Sequence, residues 1–228
     1  MRRKPHPKED GFRVWMNGDE LDRLIDKMEH RQGTPGVIAG RLGGHCGLRR
    51  EETTDACAVH VQDTDDEPVL RVPEGKDDKY RETPIPADLA DRIRMVAEYD
   101  DDITKTDPVL TVVPKTVNRW VKRAAEDLAD ETGDPGWNDV TFHDLRRTWG
   151  TRCLEQGMLP SVVMWHGGWD DWDTFRKHYL GEFSPGALRR ERSKISWLSG
   201  TGDADDVDAT PVARTVAPPT PSSGRNHD

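Results

Sequence analysis

Apolar residues along this chain recur mostly at the 3.6-residue period of helices, interrupted by a stretch of short strand-like runs. Asn17 can cap a helix, Glu20 sits three residues later, and Leu21, Leu24, Ile25 and Met28 follow at helical spacing, so a helix is predicted there. A second helical stretch runs from about Thr34 to Cys46. After Gly47, Leu48 and Arg49, a third carries Glu52 and ends near Asp55. Three β-like runs come next, Ala56 to Val61, Val69 to Val72 and Arg81 to Ile85, and predict a small three-stranded antiparallel sheet. The residues from Pro73 to Lys79 favour turn geometry and place Lys76 at an exposed hairpin tip.

Helical patterning resumes near Pro86. Leu89, Ile93, Val96 and Ala97 stripe one helix, and Val117, Trp120, Val121, Ala124 and Leu128 stripe the next. Thr141 to Gln156 reads as another, with Leu145, Trp149 and Cys153 on one face and Gly157 as its stop. Shorter helices flank Gly167 and Gly168, and Ala187 to Leu198 has a weak amphipathic pattern. The predicted class is α+β, mostly helical with one small sheet. Residues 1–14 read as a flexible segment, 15–198 as the domain, and 199–228, rich in Asp, Thr, Pro and Ser, as a disordered tail.

At 228 residues the chain can bury one sizeable core, and its 33% hydrophobic content is polar but sufficient for a soluble fold. Cys46, Cys57 and Cys153 lack C-x-x-C spacing, which points away from disulfides and zinc ribbons and towards buried thiols. No apolar run reaches bilayer length, and the basic start leads into Pro5 rather than an apolar signal core, so a cytoplasmic protein without a membrane partner is expected.

A net charge of −10 argues, by itself, against nucleic acid. The acid, however, is gathered at Asp63, Asp65 and Asp66, at Asp100 to Asp102 and at Asp203 to Asp208, while cations cluster elsewhere. This Asp-rich, Lys-poor composition, with a mean hydropathy of −0.85, resembles that of halophile proteins, whose acidic surfaces hold water at high ionic strength.

The candidate chemistry lies in separated pieces: Gly47-Leu48-Arg49 with Glu52, then Lys76, then His143-Asp144-Leu145-Arg146, Trp169 and Tyr179. In this order, and with the extended stretches Gly75-Lys76-x-x-Lys79-x-Arg81 and Thr141 to Thr148, they resemble the catalytic domain of the tyrosine recombinases, the phage integrase family. The resemblance runs from about Trp15 to Leu198. It implies that Tyr179 attacks a DNA phosphodiester and that Lys76 protonates the leaving 5′ oxygen. Two departures stand out: the stretch from Trp169 to Tyr179 is one residue longer than usual, and Trp169 replaces the commoner His.

The residue types suit that chemistry. Two guanidinium forks, from Arg49 and Arg146, can hold the nonbridging oxygens of a phosphate as charge builds on it, so neither metal nor other cofactor is required. A phenol with a pKa of about 10 is a weak nucleophile at neutral pH, and His143 is the candidate to assist it. His143 and Arg146 share one face in a helical first turn, where unpaired backbone N–H groups also favour phosphate. Trp169 offers an indole N–H for a phosphate oxygen.

Taken singly, each feature has a bland reading: Lys76 as a solvated hairpin lysine, Trp169 as a core or rim aromatic, Tyr179 as a half-buried tyrosine. His166 and His178 rival Trp169 for the second imidazole position, and His166 reads as structural or surface. Arg50, Lys79, Arg81, Lys115, Arg119, Lys122, Arg123, Arg147 and Arg152 are candidate DNA-backbone contacts with an equally ordinary solvated-charge reading. The resemblance implies a double-stranded DNA attachment site and a homotetramer on DNA as partners. The short segment before the domain leaves no room for the family's usual second DNA clamp, so an accessory DNA-binding protein is a further expected partner. Two other functions remain open at this point: a type IB topoisomerase-like nicking and closing enzyme, and a catalytically idle DNA-binding or regulatory module.

Overall fold

The computed structural model describes residues 1–6, 10–73, 80–176, 185–195 and 197. Strand β1 (Arg2–Pro5) pairs antiparallel with β2 (Phe12–Trp15), Arg2 opposite Trp15 and Pro5 opposite Phe12. The assignment of 1–14 to a flexible segment is thereby corrected. Nothing in Arg2-Arg3-Lys4-Pro5 alternates as a strand should; β1 is held by its ladder and by ion pairs, Arg2 to Glu155 and Arg3 to Asp139, both at 2.8 Å.

Helix α1 (Gly18–Gln32) starts at the predicted cap, with the Glu20 amide donating to the Asn17 side chain and the Asn17 amide to the Glu20 carboxylate. It buries Leu21, Leu24, Ile25 and Met28, mostly against α2 (Thr34–Gly44) and α5 (Pro114–Thr132). Between them in sequence lie α3 (Arg50–Thr54), a three-stranded sheet and α4 (Ala87–Tyr99). The sheet has the order β3 (Val61–Gln62), β4 (Val69–Val72), β5 (Arg81–Pro84), antiparallel throughout.

The first of these strands is shorter than Ala56 to Val61 predicts. Residues Ala58–His60 form a 3₁₀ turn, because the Val109 amide donates to the Ala56 carbonyl and the Val59 amide to that of Lys105, drawing this backbone onto the loop before α5. The chain then runs through α6 (Phe142–Glu155), α7 (Pro160–Gly167), the single turn α8 (Trp172–Phe175) and α9 (Pro185–Ser193).

Leu24, Ile38, Leu70, Ile93, Val121 and Leu145 anchor one large core, in which each such side chain contributes about 1.5–3 kcal/mol of burial. A smaller cluster of Trp149, Val163 and Phe175 lies where α6, α7 and α8 meet, with Trp169 packed against it. Met1–Arg189 form one compact unit. Burial pushes the Cys46 thiol up to about 12 and that of Cys153 up to about 11. Among the described residues, no helix is long and apolar enough to cross a membrane.

Candidate active site

A helix ends with carbonyls that have no partner inside it, and α7 ends in a glycine turn with Gly168 at φ 65°. Three arginines take those carbonyls. Arg81 Nε donates to the His166 carbonyl at 2.9 Å, Arg146 donates to that of Gly167, and Arg49 donates to that of Gly168 at 3.0 Å. Guanidinium groups from the residue before α3, from β5 and from α6 therefore converge on consecutive carbonyls at the negative end of α7.

Glu52 is the counter-ion of this cluster and is buried. Each of its carboxylate oxygens carries two donors: Oε1 accepts from Arg49 at 2.6 Å and Arg81 at 2.8 Å, Oε2 from the Arg49 amide and Arg81, both at 2.6 Å. Burial opposes ionisation of Glu52, but the hydrogen bonds and charge of Arg81, the Arg49 amide and the charge of Arg146 outweigh it and hold its pKa at about 2. One carboxylate against these three guanidinium groups leaves the cluster net positive, and Arg49, with 23% of its side chain exposed, is its open member.

Arg146 is 1% exposed and also donates to the Gly47 carbonyl. Gly47 makes that contact possible: its φ is 69°, and a Cβ there would stand 2.3 Å from the Trp149 ring. The Arg146 guanidinium lies 4.1 Å from the centre of the Trp169 ring, which stacks at 6.0 Å on Trp149 and meets Phe175 at 5.3 Å. Trp169 is thus partly buried as an aromatic platform for Arg146.

His143 is exposed at the start of α6 and lines a groove of about 330 Å³ together with Arg49, Arg50, Asn118 and Thr141. The α6 first turn is less open to phosphate than its sequence implies. The Thr141 amide donates to Asp144 at 2.9 Å and the Phe142 amide to Asn118 Oδ1 at 3.0 Å, so these N–H groups are already used. Asp144 also accepts the Val14 amide at 3.0 Å and the Arg147 guanidinium, tying β2 to α6 and making the acid of the His143-to-Arg146 motif part of the scaffold.

The structure therefore brings Arg49, Glu52, Arg146 and Trp169 together around one turn, with His143 and Arg49 on one groove. Lys76 and Tyr179 lie outside the described residues, as does His178. His166 is partly buried, its Nδ1 2.9 Å from the Glu82 carbonyl, in keeping with a structural role. Arg81 and Arg147, solvated charges by their sequence, are buried partners of Glu52 and Asp144. Of the other tyrosines, Tyr99 is exposed at the end of α4, and the Tyr80 phenol donates to Glu82, which pushes its pKa up. Among the described residues no group of three His, Cys, Asp or Glu side chains is gathered as a metal ion would need.

Comparison with known proteins bears on this arrangement. Residues 14–183 match the model of the phage integrase family. The integrase of Salmonella phage P22 is 32% identical over 66 residues, which cover 29% of this chain and 16% of that protein. Among solved structures, the XerA recombinase superposes with a TM-score of 0.61 at 20% identity, covering 79% of this chain and 64% of that one. The catalytic domain of bacteriophage HP1 integrase superposes with a TM-score of 0.55 at 19% identity, covering 83% of this chain and 99% of that domain. The fold is theirs; the match spans less than two thirds of the length of the P22 and XerA proteins.

Proposed function

The chain belongs to the phage integrase family, and from that premise we propose that it is a site-specific DNA recombinase working through a 3′-phosphotyrosyl intermediate at Tyr179. The observation that carries this reading is the convergence of Arg49 and Arg146 on the neighbouring carbonyls of Gly168 and Gly167. Two planar forks so placed, with one carboxylate between three guanidinium groups, form a site that an anion would neutralise.

In the proposed reaction the Tyr179 oxygen attacks the scissile phosphorus. The new bond is phosphotyrosyl, the broken bond is to the 5′ oxygen of the next nucleotide, and that oxygen leaves with a proton supplied by Lys76. Arg49 and Arg146 hold the nonbridging oxygens as charge accumulates, and His143, on the same groove as Arg49, assists the phenol. Trp169 supports Arg146 through its ring. A 5′ hydroxyl of a partner strand then attacks the phosphotyrosine and releases Tyr179. One phosphodiester is exchanged for another, so no external energy source is consumed.

The XerH recombinase superposes with a TM-score of 0.59 at 15% identity, and its structure is a post-cleavage complex on a palindromic difH substrate. By analogy the proposed partner of this chain is a duplex attachment site; assembly of four copies on it, and an accessory DNA-binding protein, are further parts of the proposal. The test is incubation with a nicked duplex carrying the attachment site. The wild-type chain is expected to give a denaturation-resistant protein–DNA adduct and Tyr179→Phe none. A folded wild-type chain that binds this duplex and forms no adduct would refute the proposal.

A further inference from the structure

The buried contacts of Arg81 show more order than a solvated hairpin cation requires. Arg81 opens β5, five positions after Lys76 in the sequence, and only 5% of it is exposed. It grips both oxygens of Glu52, the carboxylate that also receives the side chain and the backbone amide of Arg49. Its Nε holds the His166 carbonyl, and its stem lies against Gly168, where a Cβ would stand 3.0 Å from Arg81 Cδ. A two-pronged contact fixes the carboxylate plane, and that plane sets the direction of every other donor on it.

We infer that Arg81 is a positioning residue for phosphate activation: by fixing Glu52 and the end of α7 it aims the Arg49 guanidinium at the scissile phosphate. The inference rests on the recombinase reading above. Arg81 touches no substrate in this account. Without it, Glu52 can rotate, Arg49 loses the orientation of its counter-ion, and the Gly168 carbonyl that Arg49 also contacts loses its neighbouring anchor. Misplacing a charge-stabilising group by about 1 Å costs on the order of a hundredfold in rate.

The experiment is a double-mutant cycle on single-turnover adduct formation with the nicked duplex. Arg81→Met is expected to slow the adduct about a hundredfold in the wild-type background while duplex binding is retained, and to change it little when Arg49→Lys is already present. An equal slowing in both backgrounds would mean that Arg81 only stabilises the fold, and would overturn the inference. Arg81→Lys, which keeps the charge beside Glu52 and loses the fork, repeats the cycle should Arg81→Met not fold, and the same background dependence is expected. Loss of fold in both variants would also overturn it. A wild-type chain that binds the duplex and yields no adduct would instead overturn the functional reading, and this inference with it.

Discussion

At the scale of single residues, the site depends on Glu52 remaining ionised although buried. Its folded pKa of about 2 lies below the ordinary 4.5, so it contributes stability that is fully present above about 4.5 and is lost as pH falls towards 2. Removing its charge at neutral pH leaves Arg81 buried without a counter-ion, so Glu52→Gln is expected to cost about 3 kcal/mol. Denaturant titrations of both proteins should show that gap closing between pH 4.5 and 2, the range set by the ordinary and folded pKa values; a pH-independent gap would contradict the assignment. Arg146→Lys keeps a charge, but one ammonium lacks the fork that spans the Gly47 and Gly167 carbonyls, and cleavage is expected to fall by roughly a hundredfold or more. The gathering of Arg49, Arg146 and Trp169, with His143 on a groove beside Arg49, was legible because their motifs occur in a fixed order. The burial of Arg81 and its pairing with Glu52 were not, since in sequence a buried cation looks like a solvated one, and Glu52 lies on another element.

At the scale of elements, the site is a junction held by close approach. Replacing Gly47 by Ala would force a Cβ into the Trp149 ring and strain a φ of 69°, displacing the carbonyl that Arg146 holds. Gly47→Ala is expected to cost at least about 2 kcal/mol and to lower cleavage as well; an unchanged melting temperature would contradict the packing described. Helices were the most legible part of this fold. The stripe Leu21, Leu24, Ile25 and Met28 became the buried face of α1, with its cap at Asn17 as read. Strand β1 escaped detection because polar residues held by a ladder and by ion pairs leave no period-2 pattern. The first strand of the sheet was overextended because long-range bonds to Lys105 and Val109 reshape it, and these have no local signature. The open N-terminus of α6 was misjudged for the same reason: Asn118, which takes the Phe142 amide, belongs to α5.

At the scale of the molecule, an acidic chain of net charge −10 must present phosphate with a locally basic face. Lys115, Arg119, Lys122 and Arg123 are exposed on α5, whose Asn118 lines the groove with Arg49 and His143. If this face tracks the DNA backbone, replacing Arg119 and Lys122 by Ala should weaken duplex binding and flatten the dependence of log K on log salt by about 2. An unchanged slope would place the backbone contacts elsewhere. The central claim, that the arginine cluster serves a phosphate attacked by one particular phenol, is tested most directly by locating the bond to DNA. The chain has three tyrosines, so the adduct can be digested and its nucleotide-bearing peptide identified by mass spectrometry. The account predicts a 3′-phosphoryl nucleotide on Tyr179, lost in Arg49→Ala and in Arg146→Ala; a nucleotide on Tyr80 or Tyr99, or an adduct indifferent to both arginines, would contradict it.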